Sequence, residues 1–194
     1  MRKNISMILV VCMLFAFSTA AYAATPRNED AFSWNKTSIK CYINPNITYN
    51  YGSNISTAIG NGVTSWNSTD APSVTLSNDY IYWDVIVEMG DFGETGWDGY
   101  CYVYWTDTGG IRITDNAIIH LNTGHVGNYA TDANLWKAVS CHEMGHAHGL
   151  SHNTTNNENS IMKPQVRAFY NYSGTSPRWT TPQPADETAI NNIY

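Results

Sequence analysis

His142-Glu143-Met144-Gly145-His146-Ala147-His148-Gly149-Leu150-Ser151-His152 is the stretch that decides how this chain reads. His142 and His146 are four apart, so on a helix their imidazoles stack on one face and can share a metal ion. Nitrogen ligands in that arrangement suit tetrahedral Zn²⁺. Glu143 is rotated by about 100° from His142, which puts its carboxylate beside the metal rather than on it. That is the place for a general base acting on an activated water. Gly149 is the residue type that leaves a helix through a left-handed turn, so the chain can bend there and return His152 as a third ligand. Three protein ligands leave a fourth position open, the mark of a catalytic rather than a structural zinc site.

The N-terminus reads as a processing segment. Arg2 and Lys3 precede an apolar run from Met7 to Phe17, and Ala21-Tyr22-Ala23 is an A-x-A cleavage pattern. The run is too short to span a bilayer, and no later stretch approaches about twenty apolar residues. Residues 1–23 are therefore expected to be a signal peptide, residues 24–33 a short polar segment, and residues 34–194 a single catalytic domain. The signal segment holds two of the ten basic residues and none of the sixteen acids, so the remaining 171 residues carry a net charge of −8. That balance argues against a nucleic-acid or anionic-membrane surface. It suits a secreted, extracellular protein without a membrane anchor, acting as a monomer. Cys41, Cys101 and Cys141 remain after processing; an odd count leaves one unpaired, and the partner assignment stays open. Cys141 is read as a buried packing thiol.

Along the chain, Ser38 to Ile43 reads as a first strand and Asn54 to Trp66 as an amphipathic helix with Ile55, Ile59, Val63 and Trp66 on its apolar face. Tyr80 to Met89 alternates like a strand, with Ile81, Trp83, Val85, Val87 and Met89 on one side. Tyr100 to Trp105 and Ala117 to Asn122 are two more strands, the last followed by a Gly-rich loop at 124–127. Thr131 or Asp132 can cap a helix running to about His148, and Asp186 to Tyr194 forms a closing helix. This order gives an α+β domain in which a mixed sheet backs one long central helix.

The extended spacing H-E-x-x-H-x-x-G-x-x-H is the metzincin pattern, and Ser160-Ile161-Met162 resembles the metzincin Met-turn, whose methionine lies beneath the zinc. The chain resembles the metzincin zinc metalloproteases, most closely the matrixin-like secreted enzymes of bacteria. Trp83-Asp84-Val85-Ile86, Gly96-Trp97-Asp98-Gly99-Tyr100, Ile119-His120-Leu121-Asn122-Thr123 and the closing run from Pro184 add support. The resemblance implies a five-stranded mixed sheet, an active-site helix beneath it, a small C-terminal subdomain, and a cleft between upper and lower subdomains. Pro164, two residues after Met162, excludes the additional tyrosine ligand of some metzincins, and Asn153 stands where matrixins often have Ser. No pro-segment cysteine that could plug the zinc is found before Cys41. His120 and His125 are the spare histidines beyond His148, without a pattern of acids around them, so one catalytic Zn²⁺ is expected; calcium is possible but not indicated. His148, about 200° around the helix from His146, reads as structural or solvent-facing.

The expected function is a zinc metalloendopeptidase with a polypeptide substrate, His142, His146 and His152 as metal ligands and Glu143 as general base. The substrate is expected to lie extended against a strand edge near Tyr100–Trp105, and the 163–172 segment to wall the side-chain pocket. A non-catalytic, zinc-stabilised binding module and a zinc hydrolase of a non-peptide amide bond are the alternatives.

Overall fold

The structure, a computed structural model, describes residues 32–194. The expected signal peptide and nearly all of the short segment expected after it lie outside these residues. The described chain runs β1 (Phe32–Ser33), β2 (Ser38–Ile43), α1 (Asn46–Tyr51), α2 (Ser53–Thr64), β3 (Ser73–Ser77), β4 (Val85–Gly90), β5 (Gly99–Thr108), β6 (Ile111–Asn122), α3 (Thr123–Val126), α4 (Ala133–Ala147), α5 (Val166–Phe169) and α6 (Pro184–Asn191). This is the expected α+β fold.

Strands β3, β2, β4 and β6 lie side by side and parallel, and β5 is laid antiparallel on the far side of β6. They make the five-stranded mixed sheet that the resemblance implies, although β3 was not among the strands read from the sequence. A sixth, the two-residue β1, pairs parallel with Arg112 and Ile113 at the start of β6. Only β6 pairs with β5 among the described residues, so β5 is a free edge.

One face of the sheet makes the core. Ile39 and Cys41 of β2, Val85 and Val87 of β4, and Ala117, Ile119 and Leu121 of β6 alternate onto that face, and all are buried. Helices α2 and α4 cover it with Ile55, Ile59 and Val63 from one and Leu135, Ala138 and Val139 from the other. Trp66, in the 3₁₀ turn that ends α2, is wholly buried and donates from Nε1 to the Cys141 carbonyl at 2.9 Å. That bond satisfies the one polar atom of a large apolar side chain and ties α2 to the middle of α4.

Helix α4 starts and stops where its sequence says. The Asp132 carboxylate accepts from the backbone N–H groups of Asn134 and Leu135, at 3.0 and 3.3 Å. At the other end Gly149 has φ +95, Leu150 N–H donates to the Gly145 carbonyl, and Gly149 N–H to His146. This is a Schellman ending with glycine in the left-handed position.

Several elements differ from the sequence reading. The strand expected from Tyr80 begins only at Val85, and Ile81 is exposed. Asp79 accepts from the Ile81 N–H at 2.8 Å and bends the chain, so the alternation at 80–84 has no partner strand. Ser73–Ser77 instead supplies the outer strand, which escapes notice because only Val74 in it is buried. The Gly-rich loop at 124–127 contains the short helix α3, capped by Asn122. Cys41, Cys101 and Cys141 are all free, and Cys41 and Cys141 are buried, Cys141 accepting from Ser65 Oγ at 3.1 Å.

Candidate active site

His142 and His146 lie on successive turns of α4, and the turn at Gly149 carries His152 back to them. One ring nitrogen from each falls within 4.8 Å of the others, the only such three-ligand group among the described residues. The second ring nitrogens fix the tautomers. His142 Nδ1 donates to the Ile161 carbonyl at 2.7 Å and His146 Nδ1 to the Leu150 carbonyl at 2.8 Å. Because carbonyls only accept, both Nδ1 atoms carry the proton and both Nε2 atoms present bare lone pairs.

Those lone pairs converge. His146 Nε2 lies 3.1 Å from His142 Nε2 and 3.2 Å from His152 Nε2. Nitrogens about 2.0–2.1 Å from a tetrahedral zinc stand roughly 3.3 Å apart, so the observed spacing fits that ion. Two lone pairs facing each other at such a distance are unfavourable unless a cation lies between them. Burial first, and the neighbouring histidines next, keep the rings neutral: His146 falls to about 4 and His142 well below its ordinary value. Neutral imidazole is the form that ligates.

The floor is built by the chain that follows. Gly145 faces Met162: a Cβ there would collide with Met162 Sδ and lie 2.8 Å from Trp66. Only glycine lets the buried methionine turn approach the helix this closely. The turn is held from outside by Asp186 of α6, which accepts from Ser160 Oγ and from the Ile161 N–H, and also closes a capping box with Gln183. Asn153 N–H donates to the Met162 carbonyl at 2.7 Å, and Phe169 stacks on His142 with ring centres 4.9 Å apart.

Glu143 is buried and faces the cleft beside the histidines. Burial, reinforced by the negative charge of Asp98, lifts its carboxyl to about 8. The cleft encloses about 900 Å³ and runs between the free edge β5 above and the segment from Pro164 to Tyr172 below.

Comparison with protein-family profiles finds the matrixin profile matching residues 33–194. The chain belongs to the matrixin family. No curated protein matches it. Matrixins are metzincin metalloendopeptidases that use a catalytic zinc, and the three-histidine group of this matrixin fits that ion.

The spare histidines of this matrixin lie elsewhere. His148 is wholly buried against Trp66 and Tyr194, so of the two readings the structural one holds. His120 Nε2 pairs with Glu88 at 3.2 Å and His125 Nδ1 with Asp98 at 2.9 Å, so each has an acid that sequence reading did not find. Asp98, Tyr172 and Asp186 were also missed as site residues. Their signals were faint: Asp98 lies inside the Gly96–Tyr100 run, and Asp186 is the third residue of α6, where an acid caps.

Proposed function

We propose that this matrixin is a secreted endopeptidase in which His142, His146 and His152 hold the catalytic zinc and Glu143 is the general base. The observation that carries the reading is the convergence of three neutral imidazoles beside a buried, proton-hungry carboxyl on one wall of an open cleft. Zinc, when bound, supplies a Lewis acid for water and for the scissile carbonyl, and its charge draws the Glu143 carboxyl down from about 8. Glu143 then takes a proton from the attacking water and returns it to the leaving amine. The peptide lies extended along β5, whose outward N–H and C=O groups pair with it main chain to main chain. Residues 1–23 are removed on export, so that the mature chain begins at Ala24 and acts as a monomer.

The test is a Glu143→Gln variant, measured for zinc content and for casein cleavage. Retained zinc with cleavage reduced by about 10²-fold or more supports the assignment; undiminished cleavage refutes it. Chelator-sensitive casein cleavage by the parent separates this reading from a zinc hydrolase of another amide bond.

A further inference from the structure

We infer that the outward face of the sheet carries a docking site for a basic stretch of the polypeptide substrate. The site is a rosette of Phe92, Trp97, Tyr100, Tyr102 and His120 with the Glu88 carboxylate at its edge, and it seats arginine better than lysine. The inference rests on the endopeptidase reading above, but the site lies outside the cleft.

Register places the rosette. In the pairing of β5 with β6, Gly99 and Cys101 stand opposite Leu121 and Ile119, which are buried in the core. Tyr100 and Tyr102 alternate onto the other face, where Tyr100 stands opposite His120 and His120 opposite Glu88 of β4. The loop from Asp91 to Asp98 adds two more rings. Wholly buried Asn122 accepts from the Phe92 N–H at 3.0 Å and donates to the Gly93 carbonyl and Thr95 Oγ1, which fixes that loop. Phe92 then stacks on His120 with ring centres 4.9 Å apart, and Trp97 lies 5.5 Å from Phe92 and 5.9 Å from Tyr100. Tyr102, 4.5 Å from Tyr100 and 5.6 Å from His120, closes the circuit.

The chemistry of this face selects a cation. Cross-strand aromatic pairs stabilise a sheet, yet Phe92, Tyr100 and Tyr102 are each at least 40% exposed. A contiguous exposed patch of that kind marks an interaction site. Ring faces are negative, so a cation over the circuit stands within about 6 Å of several ring centres at once. Charge agrees: residues 85–111 hold the acids Glu88, Asp91, Glu94, Asp98 and Asp107 and no Lys or Arg. The Lys and Arg of the strands are Lys40, level with Asp84, and Arg112, packed over Trp105. Asp84 is four residues before Glu88 and Arg112 eight before His120, roughly 13 and 27 Å along their strands. Arg167 stands across the cleft, over Tyr172. Glu88 Oε2 meets His120 Nε2 at 3.2 Å, and that pair has no net positive charge in either state of the ring. The Glu88 side chain is 42% exposed and so remains open to a second donor. A guanidinium stacks on rings and meets a carboxylate with paired N–H groups, which an ammonium does not.

Continuity with the cleft names the source of the cation. Trp97 and Tyr100 also border the cleft, and a Cβ on Gly99 would lie 2.6 Å from Glu143 Oε1. Tyr102 is three residues further on, about 10 Å along β5. A polypeptide leaving the cleft over this edge strand passes the rosette.

The test uses zinc-loaded protein and one cleavable core peptide joined, at either end, to a tail of three arginines, three lysines or three glutamines. A Gly/Ser linker of about ten residues, reaching about 17 Å, lets the tail round the sheet edge. At one end the arginine tail should lower KM by about 3–10-fold against glutamine with kcat unchanged, and lysine should fall between. Tyr102→Thr and Glu88→Gln should each remove most of that advantage and leave cleavage of the untailed core unchanged, with melting temperature checked. Equal KM for arginine and glutamine tails overturns the inference. So does an advantage that survives in folded Tyr102→Thr, which would be the work of net charge alone. Binding to phosphatidylcholine vesicles that Tyr102→Thr abolishes, without any tail effect, overturns it in favour of a lipid headgroup. Anisotropy of the labelled arginine tail alone separates the two readings. Tail binding lost in Tyr102→Thr, with no peptide cleaved, refutes the endopeptidase reading and keeps the site; cleavage without tail preference does the reverse.

Discussion

At the scale of single residues, the site is made of groups whose protonation differs between folded and unfolded chain. His142, His146 and His148 are buried and neutral, with His146 lowered to about 4 and His148 to about 3. In the zinc-free protein each binds a proton more readily when unfolded, near 6.5. Their contribution to stability is therefore present above that value and lost as pH falls toward the folded values. Glu143 acts in the opposite sense: its folded value of about 8 stands above its unfolded one, so its contribution is present in acid and lost as pH rises toward 8. Three histidines outweigh one carboxyl on the acid side, and the carboxyl acts alone on the alkaline side. Urea unfolding of chelator-treated protein should therefore show a stability maximum near pH 6.5, with the alkaline decline absent from Glu143→Gln; a monotonic rise to pH 8 would contradict this. The convergence of His142, His146 and His152, and the place of Glu143 beside them, were legible in the sequence because spacing on a helix fixes direction. Asp98 and Tyr172 were not, since they are 74 positions apart and meet only through the fold.

At the scale of elements, the ends of α4 were legible because capping is local chemistry: Asp132 at one end, Gly149 at the other. The start of β4 was not, because alternation at 80–84 is a property of the sequence alone, while a strand needs a neighbour to pair with. The helix α1 carries a single buried residue, Ile47, and so gave no periodic signal. Two contacts between elements should govern how firmly the metal floor is held. Gly145→Ala forces a methyl into Met162 and Trp66, and should cost about 1–3 kcal/mol in chemical denaturation. Asp186→Ala leaves the buried Ser160 hydroxyl and Ile161 N–H without that acceptor and removes these two ties between α6 and the turn. A loss of about 3 kcal/mol is expected, with weaker zinc retention on dialysis. Full stability in Asp186→Ala would show that the turn is held by other means.

For the molecule as a whole, fold class and the three longest helices, α2, α4 and α6, could be read from the sequence, but the order of strands could not. Placing β5 outside β6 follows from the hairpin at Gly109-Gly110, yet nothing local says that no further strand covers it. That free edge, the histidines on α4 and the 164–172 wall come together only when the sheet, helix and C-terminal segment pack. The central claim is that the assembled cleft is a zinc-dependent peptidase site. Its most direct test is casein cleavage by chelator-stripped protein as zinc is returned. The account predicts no cleavage without metal and full recovery at one zinc per chain, in the parent but not in Glu143→Gln. Cleavage that persists in chelator, or that zinc does not restore, would contradict it.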